Sequence, residues 1–255
     1  MATSILFDLS GKVAIVTGGN GGIGRGIALG LAAAGASVAI FGRNEQKNAS
    51  VLAELQSIGV PAMAAKVDVT DRDGLEPAVH AVTSTLGDVD ILVNNAGIAS
   101  LSGGILQETA QDWDNVIETQ LNSVFLLSKI VGQGMAKRKS GKIINIGSMY
   151  SIFGSELVPS YSAAKGAIIQ LSKSMAIELA PHNIQVNTII PGWIETEMTA
   201  AIRQSPMSDE IVARTPAGSW GTADEFAGAA VFLSSSAADF ITGESLRVDG
   251  GYAIK

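Results

Sequence analysis

Short, nearly unbroken apolar runs alternate along this chain with longer stretches whose apolar positions recur every three or four residues. The runs Val13–Thr17, Ser37–Phe41, Ala62–Val67, Ile91–Val93, Lys142–Gly147, Ile184–Ile190 and Ser245–Val248 predict strands. The stretches Gly22–Ala34, Asn44–Ile58, Asp71–Leu86, Thr109–Arg138, Ser160–Ala180 and Ala223–Ser234 predict helices. The strand runs lack polar alternation, as strands do when helices cover both faces of their sheet. Strand–helix alternation from end to end predicts an α/β fold, a doubly wound parallel sheet of Rossmann type in three α/β/α layers. No linker or break in composition divides the chain, so residues 1–255 are expected to form one dinucleotide-binding domain. The long segment 191–222 is rich in Pro, Ser and Thr and comes directly after a strand. Loops of that length are usually functional, and ligands bind at that edge of an open α/β sheet. The segment is expected to be a substrate lid, with Met198, Ile202, Ile211 and Val212 as apolar anchors and a break at Ser205-Pro206.

Composition narrows the function. Hydrophobic residues make up 47% of the chain and charged residues only 16%, below the usual quarter or so. A chain so apolar often buries surface against copies of itself, and a homotetramer is expected. The net charge of −7 leaves no electrostatic footprint for nucleic acid or an anionic membrane. Lys137-Arg138-Lys139 closes a helical pattern, where cations suit the helix C-terminus. With no cysteine, disulfides, thiolate catalysis and cysteine metal sites are excluded, and the two histidines stand far apart, so no metal is expected. Met1–Ser10 does not read as a secretory signal, and the uncharged stretch Gly26–Gly42 is short and glycine-interrupted for a membrane span. A cytoplasmic protein is expected.

Directly after the first strand comes Thr17-Gly18-Gly19-Asn20-Gly21-Gly22-Ile23-Gly24, with a helix behind it. Glycines allow the tight turn and let backbone N–H groups approach a pyrophosphate at the helix N-terminus. At the end of the second strand an acidic residue would hold a ribose 2′-hydroxyl, whereas an arginine accommodates a 2′-phosphate. Gly42-Arg43 stands there. NADP(H) is favoured, with NAD(H) as the alternative.

Ser148 ends an apolar strand, Tyr161 stands thirteen residues later and Lys165 lies four further on, with Asn122 upstream. Tyr161 and Lys165 share one helix face, and an ammonium beside a phenol is expected to lower the phenol's pKa. A tyrosine so tuned is a usable acid or base.

These motifs, in this order, resemble the short-chain dehydrogenases/reductases over nearly the whole chain. Within that family the segments 141–151, 182–187, 191–199 and 214–221 look like gluconate 5-dehydrogenase and 2-deoxygluconate 3-dehydrogenase members. The resemblance implies that Asn122, Ser148, Tyr161 and Lys165 form the catalytic tetrad. It implies cofactor contacts from Gly18, Asn20, Gly22, Ile23 and Gly24 in the first loop, Arg43, and Asp68 and Val69 beside the adenine. Asn94, Ala96 and Gly97 come after the fourth strand, and Tyr161, Lys165, Pro191, Gly192, Ile194 and Thr196 complete the set. Ser148 would orient the substrate oxygen, Tyr161 would exchange its proton, Lys165 would also hold the nicotinamide ribose, and Asn122 would keep a water in place. Gln120 stands where relatives often carry Asn. Substrate contacts are expected from Ser148, Tyr150, Phe153, Trp193 and Arg203, the last for a carboxylate. The implied reaction is NAD(P)-dependent hydride transfer on a carbonyl or secondary alcohol of a small molecule, a sugar acid or a related polyol or keto acid. Alternatives are a 3-oxoacyl-(acyl-carrier-protein) reductase-like ketoreductase and a non-catalytic dinucleotide-binding regulator. Such regulators typically lose the tyrosine or lysine retained here.

Overall fold

β-Branched and apolar residues fill the first strand, β1 (Val13–Thr17), and all five are buried. The computed structural model describes residues 6–99 and 101–255. After β1 come α1 (Gly22–Ala33), β2 (Ser37–Gly42), α2 (Glu45–Ile58), β3 (Ala62–Lys66), α3 (Arg72–Leu86) and β4 (Ile91–Asn94). The second half runs α4 (Ala110–Ile117), α5 (Ser123–Arg138), β5 (Gly141–Ile146), α6 (Pro159–Leu179) and β6 (Ile184–Pro191). It ends with α7 (Ala200–Arg203), α8 (Met207–Arg214), α9 (Phe226–Ser234) and β7 (Ser245–Val248). Local signals set the starts. Asn44, Asp71 and Thr109 cap α2, α3 and α4 by accepting from the backbone N–H of Lys47, Gly74 and Asp112. Pro159 opens α6, where its missing N–H costs nothing.

The strands form one parallel sheet in the order β3-β2-β1-β4-β5-β6-β7. The order reverses between β1 and β4, which opens a crevice at their C-terminal ends. One core packs α1, α2 and α9 on one face around Ile27, Leu31, Leu55 and Phe226. The other packs α3, α5 and α6 around Leu75, Leu127, Met135 and Ile143. The expected three-layer fold is what the chain forms.

A polar ladder crosses the middle of this apolar sheet. Asn94 Nδ2 on β4 donates to Asn145 Oδ1 on β5 at 2.8 Å and to Ser128 Oγ on α5 at 3.0 Å. Asn145 Nδ2 donates to Ser172 Oγ on α6 at 2.8 Å, and Thr188 Oγ1 on β6 donates to the same oxygen at 3.0 Å. The ladder thereby ties three strands to the helix that carries Tyr161 and Lys165.

Two expectations need correction. The helix expected over Thr109–Arg138 is interrupted by a π turn at Glu118–Asn122, where the Ser123 N–H donates to the carbonyl of Glu118. The extra residue rotates the helix beyond it, so Gln120 rather than Asn122 is driven inward. Of the four expected anchors in 191–222, Ile211 is buried and Ile202 and Val212 pack partly, but Met198 is 51% exposed. The segment itself forms a short turn at Glu197–Thr199 and then α7 and α8, and closes on itself through a bridge between Ile194 and Gly221.

Candidate active site

A cavity of about 760 Å³ opens along the C-terminal ends of β1 to β6. Its floor begins at the glycine loop. Gly18 has φ +62°, a left-handed conformation that suits glycine, and a Cβ on Gly24 would lie 2.3 Å from the Gly18 carbonyl. The loop can therefore fold tightly onto the start of α1. Gly21 caps that helix with no side-chain hydrogen bond, and no acidic residue sits in the first turn. The free N–H groups of a twelve-residue helix thus face the cavity, a fit for a pyrophosphate. Asn95 holds the loop from across the crevice. Its Nδ2 donates to the Thr17 carbonyl at 2.9 Å, while Thr17 Oγ1 accepts from the N–H groups of Asn95 and Ala96, both at 2.9 Å.

At the far end of β2, Arg43 is 68% exposed and lies 4.0 Å from Asp68. So loose an exposed pair is weak, and the guanidinium is available to a phosphate. Lys47, one turn into α2, also lines the cavity and reaches across it to Glu197 at 2.7 Å. An arginine whose nearest carboxylate is Asp68 at 4.0 Å, with Lys47 beside it, fits a 2′-phosphate better than a bare ribose hydroxyl. The Thr70 backbone N–H, the largest influence, holds the Asp68 carboxyl below its ordinary value.

The reactive end lies at β5 and α6. Ser148 lies just past β5 and caps a single turn, Met149–Ser151, by accepting from the Tyr150 N–H. Ser151 Oγ donates to the Lys165 carbonyl at 2.6 Å and accepts from the Ser148 N–H, which fixes Ser148 against α6. Ser148 and Tyr161 both line the cavity, with the serine hydroxyl on the side of the phenol, where it lowers the phenol's pKa. Tyr150 packs edge-on against Tyr161 with ring centroids 6.2 Å apart. Lys165 is buried, donates from Nζ to the Ile146 carbonyl at 2.7 Å, and has that nitrogen 5.6 Å from the Tyr161 ring centroid.

The electrostatics reverse the expected direction for the tyrosine. Burial pushes the Tyr161 phenol up to about 12, against a smaller opposing effect of the Ser148 hydroxyl. Burial also pushes Lys165 down to about 7. The lysine gives its hydrogen bond to a neutral carbonyl, so no partner charge holds it protonated, and its pull on the phenol does not outweigh the cost of burial.

The family model described as enoyl-(acyl carrier protein) reductase matches residues 18–253. The chain is 44% identical over 249 residues to a 2-dehydro-3-deoxy-D-gluconate 5-dehydrogenase of Formosa agariphila, covering 96% of this chain and 94% of that one. It is 41% identical over 251 residues to the gluconate 5-dehydrogenase of Gluconobacter oxydans, covering 98% and 97%. A gluconate 5-dehydrogenase from Burkholderia cenocepacia, solved with NADP and tartrate, superposes with a TM-score of 0.94 at 39% identity over 99% of both chains. This chain is a short-chain dehydrogenase/reductase. It is an oxidoreductase that uses a nicotinamide dinucleotide and acts on CH–OH and C=O groups.

Most of the residues expected from this reductase's sequence do converge. Gly18, Asn20, Gly22, Ile23, Arg43, Asp68, Val69, Ala96 and Gly97 line the cavity. So do Ser148, Tyr150, Tyr161, Lys165, Pro191, Gly192, Trp193, Ile194 and Thr196. Five do not line it. Gly24 works through its packing on Gly18, and Asn94 belongs to the polar ladder. Phe153 stands behind Tyr150, with the Arg214 guanidinium 5.3 Å from its ring centroid. Arg203 pairs with Glu195 at 2.8 Å. Asn122 Nδ2 donates to Glu118 Oε2 at 2.5 Å, and Glu118 is in turn held by Arg72. In place of Asn122 the π turn offers Gln120, which is 1% exposed. Its Nε2 donates to the Ile98 carbonyl at 2.5 Å, and its Oε1, buried at the cavity wall, has no hydrogen-bond partner in the protein.

Sequence reasoning missed Lys47 and Glu197. For Lys47 a signal existed, a second cation one helical turn beyond Arg43. Glu197 carries none, because its role depends on how the segment 191–222 lies over the sheet.

Proposed function

We propose that this chain is an NADP(H)-dependent oxidoreductase that interconverts a secondary alcohol and a ketone through Tyr161. The observation that carries the reading is the convergence of Ser148, Tyr161 and Lys165 at one end of a cavity whose other end pairs a helix N-terminus with Arg43 and Lys47. The bound dinucleotide supplies or accepts the hydride at its nicotinamide ring. The side chains do the rest. Ser148 donates a hydrogen bond to the substrate oxygen and fixes its direction. Tyr161, fully protonated at neutral pH because burial holds its pKa near 12, gives its proton to that oxygen during reduction. Lys165, poised near 7, is the nearest cation to the resulting phenolate and stabilises it. Oxidation takes the same path in reverse.

The relatives' names speak of gluconate and its keto derivatives, which makes sugar acids, polyols and keto acids the first classes to assay. Those names support this reading over a carrier-linked acyl substrate. The segment 191–222 acts as a lid over the cavity, supported by its position and by the Lys47–Glu197 contact across the mouth. A homotetramer and a cytoplasmic location complete the reading. Exposed Phe125 on α5 and Ile177 on α6 favour the assembly. Among the described residues, no helix is long and apolar enough to cross a membrane.

Tyr161→Phe tests the core of this reading, since it keeps the ring and removes the proton. We expect kcat to fall by about 10²–10⁴ while NADPH still binds. Wild-type turnover in the purified variant would refute it.

A further inference from the structure

Lys47 stands at the corner where β2 leads into α2, and its backbone is fixed there. Its N–H donates to the side chain of Asn44, the cap of α2, at 3.0 Å. From that corner its ammonium crosses the cavity mouth to Glu197, donating to Oε1 at 2.7 Å and to Oε2 as well. No other carboxylate pairs with it among the described residues. On the far side, Glu197 opens the turn Glu197–Thr199, and that turn is anchored too. Thr199 Oγ1 donates to the Ile194 carbonyl at 2.6 Å and accepts from the Thr196 N–H at 3.1 Å. Thr196 in turn lies over the glycine loop, so close that a Cβ on Gly22 would stand 3.2 Å from its methyl carbon. The backbone is thus held on both sides of the ion pair, and a rearrangement there needs only the two side chains to move. Both are open to water, Lys47 at 43% and Glu197 at 84%, so a carboxylate that gives up the lysine is hydrated at once.

Lys47 shares the β2 end of the cavity with Arg43, the corner that fits a 2′-phosphate. A phosphate monoester carries nearly two negative charges near neutral pH and several acceptor oxygens, so it competes for an ammonium with a single carboxylate. A bare 2′-hydroxyl does not. The two dinucleotides therefore meet the pair differently. NAD(H) leaves Lys47 on Glu197, whereas NADP(H) gains Lys47 only once that contact is given up. We propose that Glu197 is a cofactor-selectivity residue: by holding Lys47 it offsets part of the gain from the phosphate and keeps NAD(H) usable beside NADP(H). This rests on the reading that Arg43 and Lys47 receive the 2′-phosphate. It goes beyond that reading by giving the segment 191–222 a part in choosing the dinucleotide.

Dissociation constants for NADPH and NADH test it, read by nicotinamide fluorescence in the wild type, Glu197→Gln, Lys47→Met and the double variant. Glu197→Gln keeps the shape of the side chain and removes its charge. It should tighten NADPH by about twofold to fivefold, the range of an exposed ion pair, and should not tighten NADH. Lys47→Met should weaken NADPH, and adding Glu197→Gln to it should recover nothing, because the carboxylate then has no ammonium to hold. An NADPH affinity unmoved by Glu197→Gln, an equal gain for both dinucleotides, or the same gain in the Lys47→Met background overturns the inference. The cofactor reading fails by a different result. Equal losses of NADPH and NADH in both Arg43→Ala and Lys47→Met would refute the placing of the phosphate at this corner. A loss confined to NADPH in those two variants, with no selective gain in Glu197→Gln, would refute the part given to Glu197 and leave the phosphate where it is.

Discussion

Lys165 offers a test that needs no substrate. Its pKa in the fold lies near 7 because of burial, against 10.5 for an ordinary lysine. Between those values the unfolded chain binds more protons than the folded one, so stability rises with pH across that window. Below it both states carry the charge and the burial penalty is felt in full. The melting temperature of the cofactor-free protein should therefore climb from pH 7 towards pH 9, and Lys165→Met should flatten that climb. Equal slopes in the two proteins would show that the ammonium is better solvated than its position implies. Tyr161 acts in the opposite sense and only above about pH 10, where its raised value makes the fold retain a proton the unfolded chain has lost. Arg43 and Lys47 carry a second test at this scale. Arg43→Ala should weaken NADPH far more than NADH, since charge-assisted hydrogen bonds contribute roughly 1.5–3 kcal/mol each. Lys47→Ala should act in the same direction. Equal losses for the two dinucleotides in initial-rate titrations would remove the phosphate from this corner. Residue types and spacing made Ser148, Tyr161, Lys165 and Arg43 legible in the sequence. The direction of the tyrosine's pKa was not, because i and i+4 spacing says that two side chains can meet and says nothing of the carbonyl of Ile146 that takes the lysine's hydrogen bond.

At the scale of elements, apolar runs gave the strands almost residue for residue, because strands buried on both faces have no polar position to blur their ends. The π turn was hidden for the opposite reason. It adds one residue to a helix without any glycine or proline to mark it, and the apolar pattern carries on beyond it with a shifted phase. That shift decides which amide serves the site. Gln120→Leu should lower kcat more than Asn122→Leu, since only the former faces the cavity. The reverse order in steady-state rates would return the role to Asn122. The segment 191–222 is the other element whose behaviour can be read out. If it is a lid, hydrogen exchange over 196–214 should slow when NADPH and a ligand bind, and Glu197→Gln, which loosens the contact to Lys47, should speed exchange in the ligand-free protein. Equal protection with and without ligands would make it a fixed wall.

For the whole molecule, the apolar surface left over after one core is built on each face of the sheet argues for assembly. Phe125 is 49% and Ile177 79% exposed, on the two long helices α5 and α6 of one layer. Light scattering at micromolar concentration should give a tetramer mass, and Ile177→Asp should shift it downward if this layer is the contact. A monomer mass for the wild type would leave the composition without this explanation. The polar ladder through Asn94, Asn145, Ser172 and Thr188 has a different consequence, for how the enzyme wears out. Parallel strands of near-uniform apolar character could slide past one another by a residue at little cost in burial. The amides forbid it, because their partners stand at one height along the strands. The same bonds set the height of α6 and therefore of Tyr161 and Lys165. On slow heating, then, catalysis and the parallel sheet should be lost in a single step, with no long-lived species that keeps its secondary structure after its activity has gone.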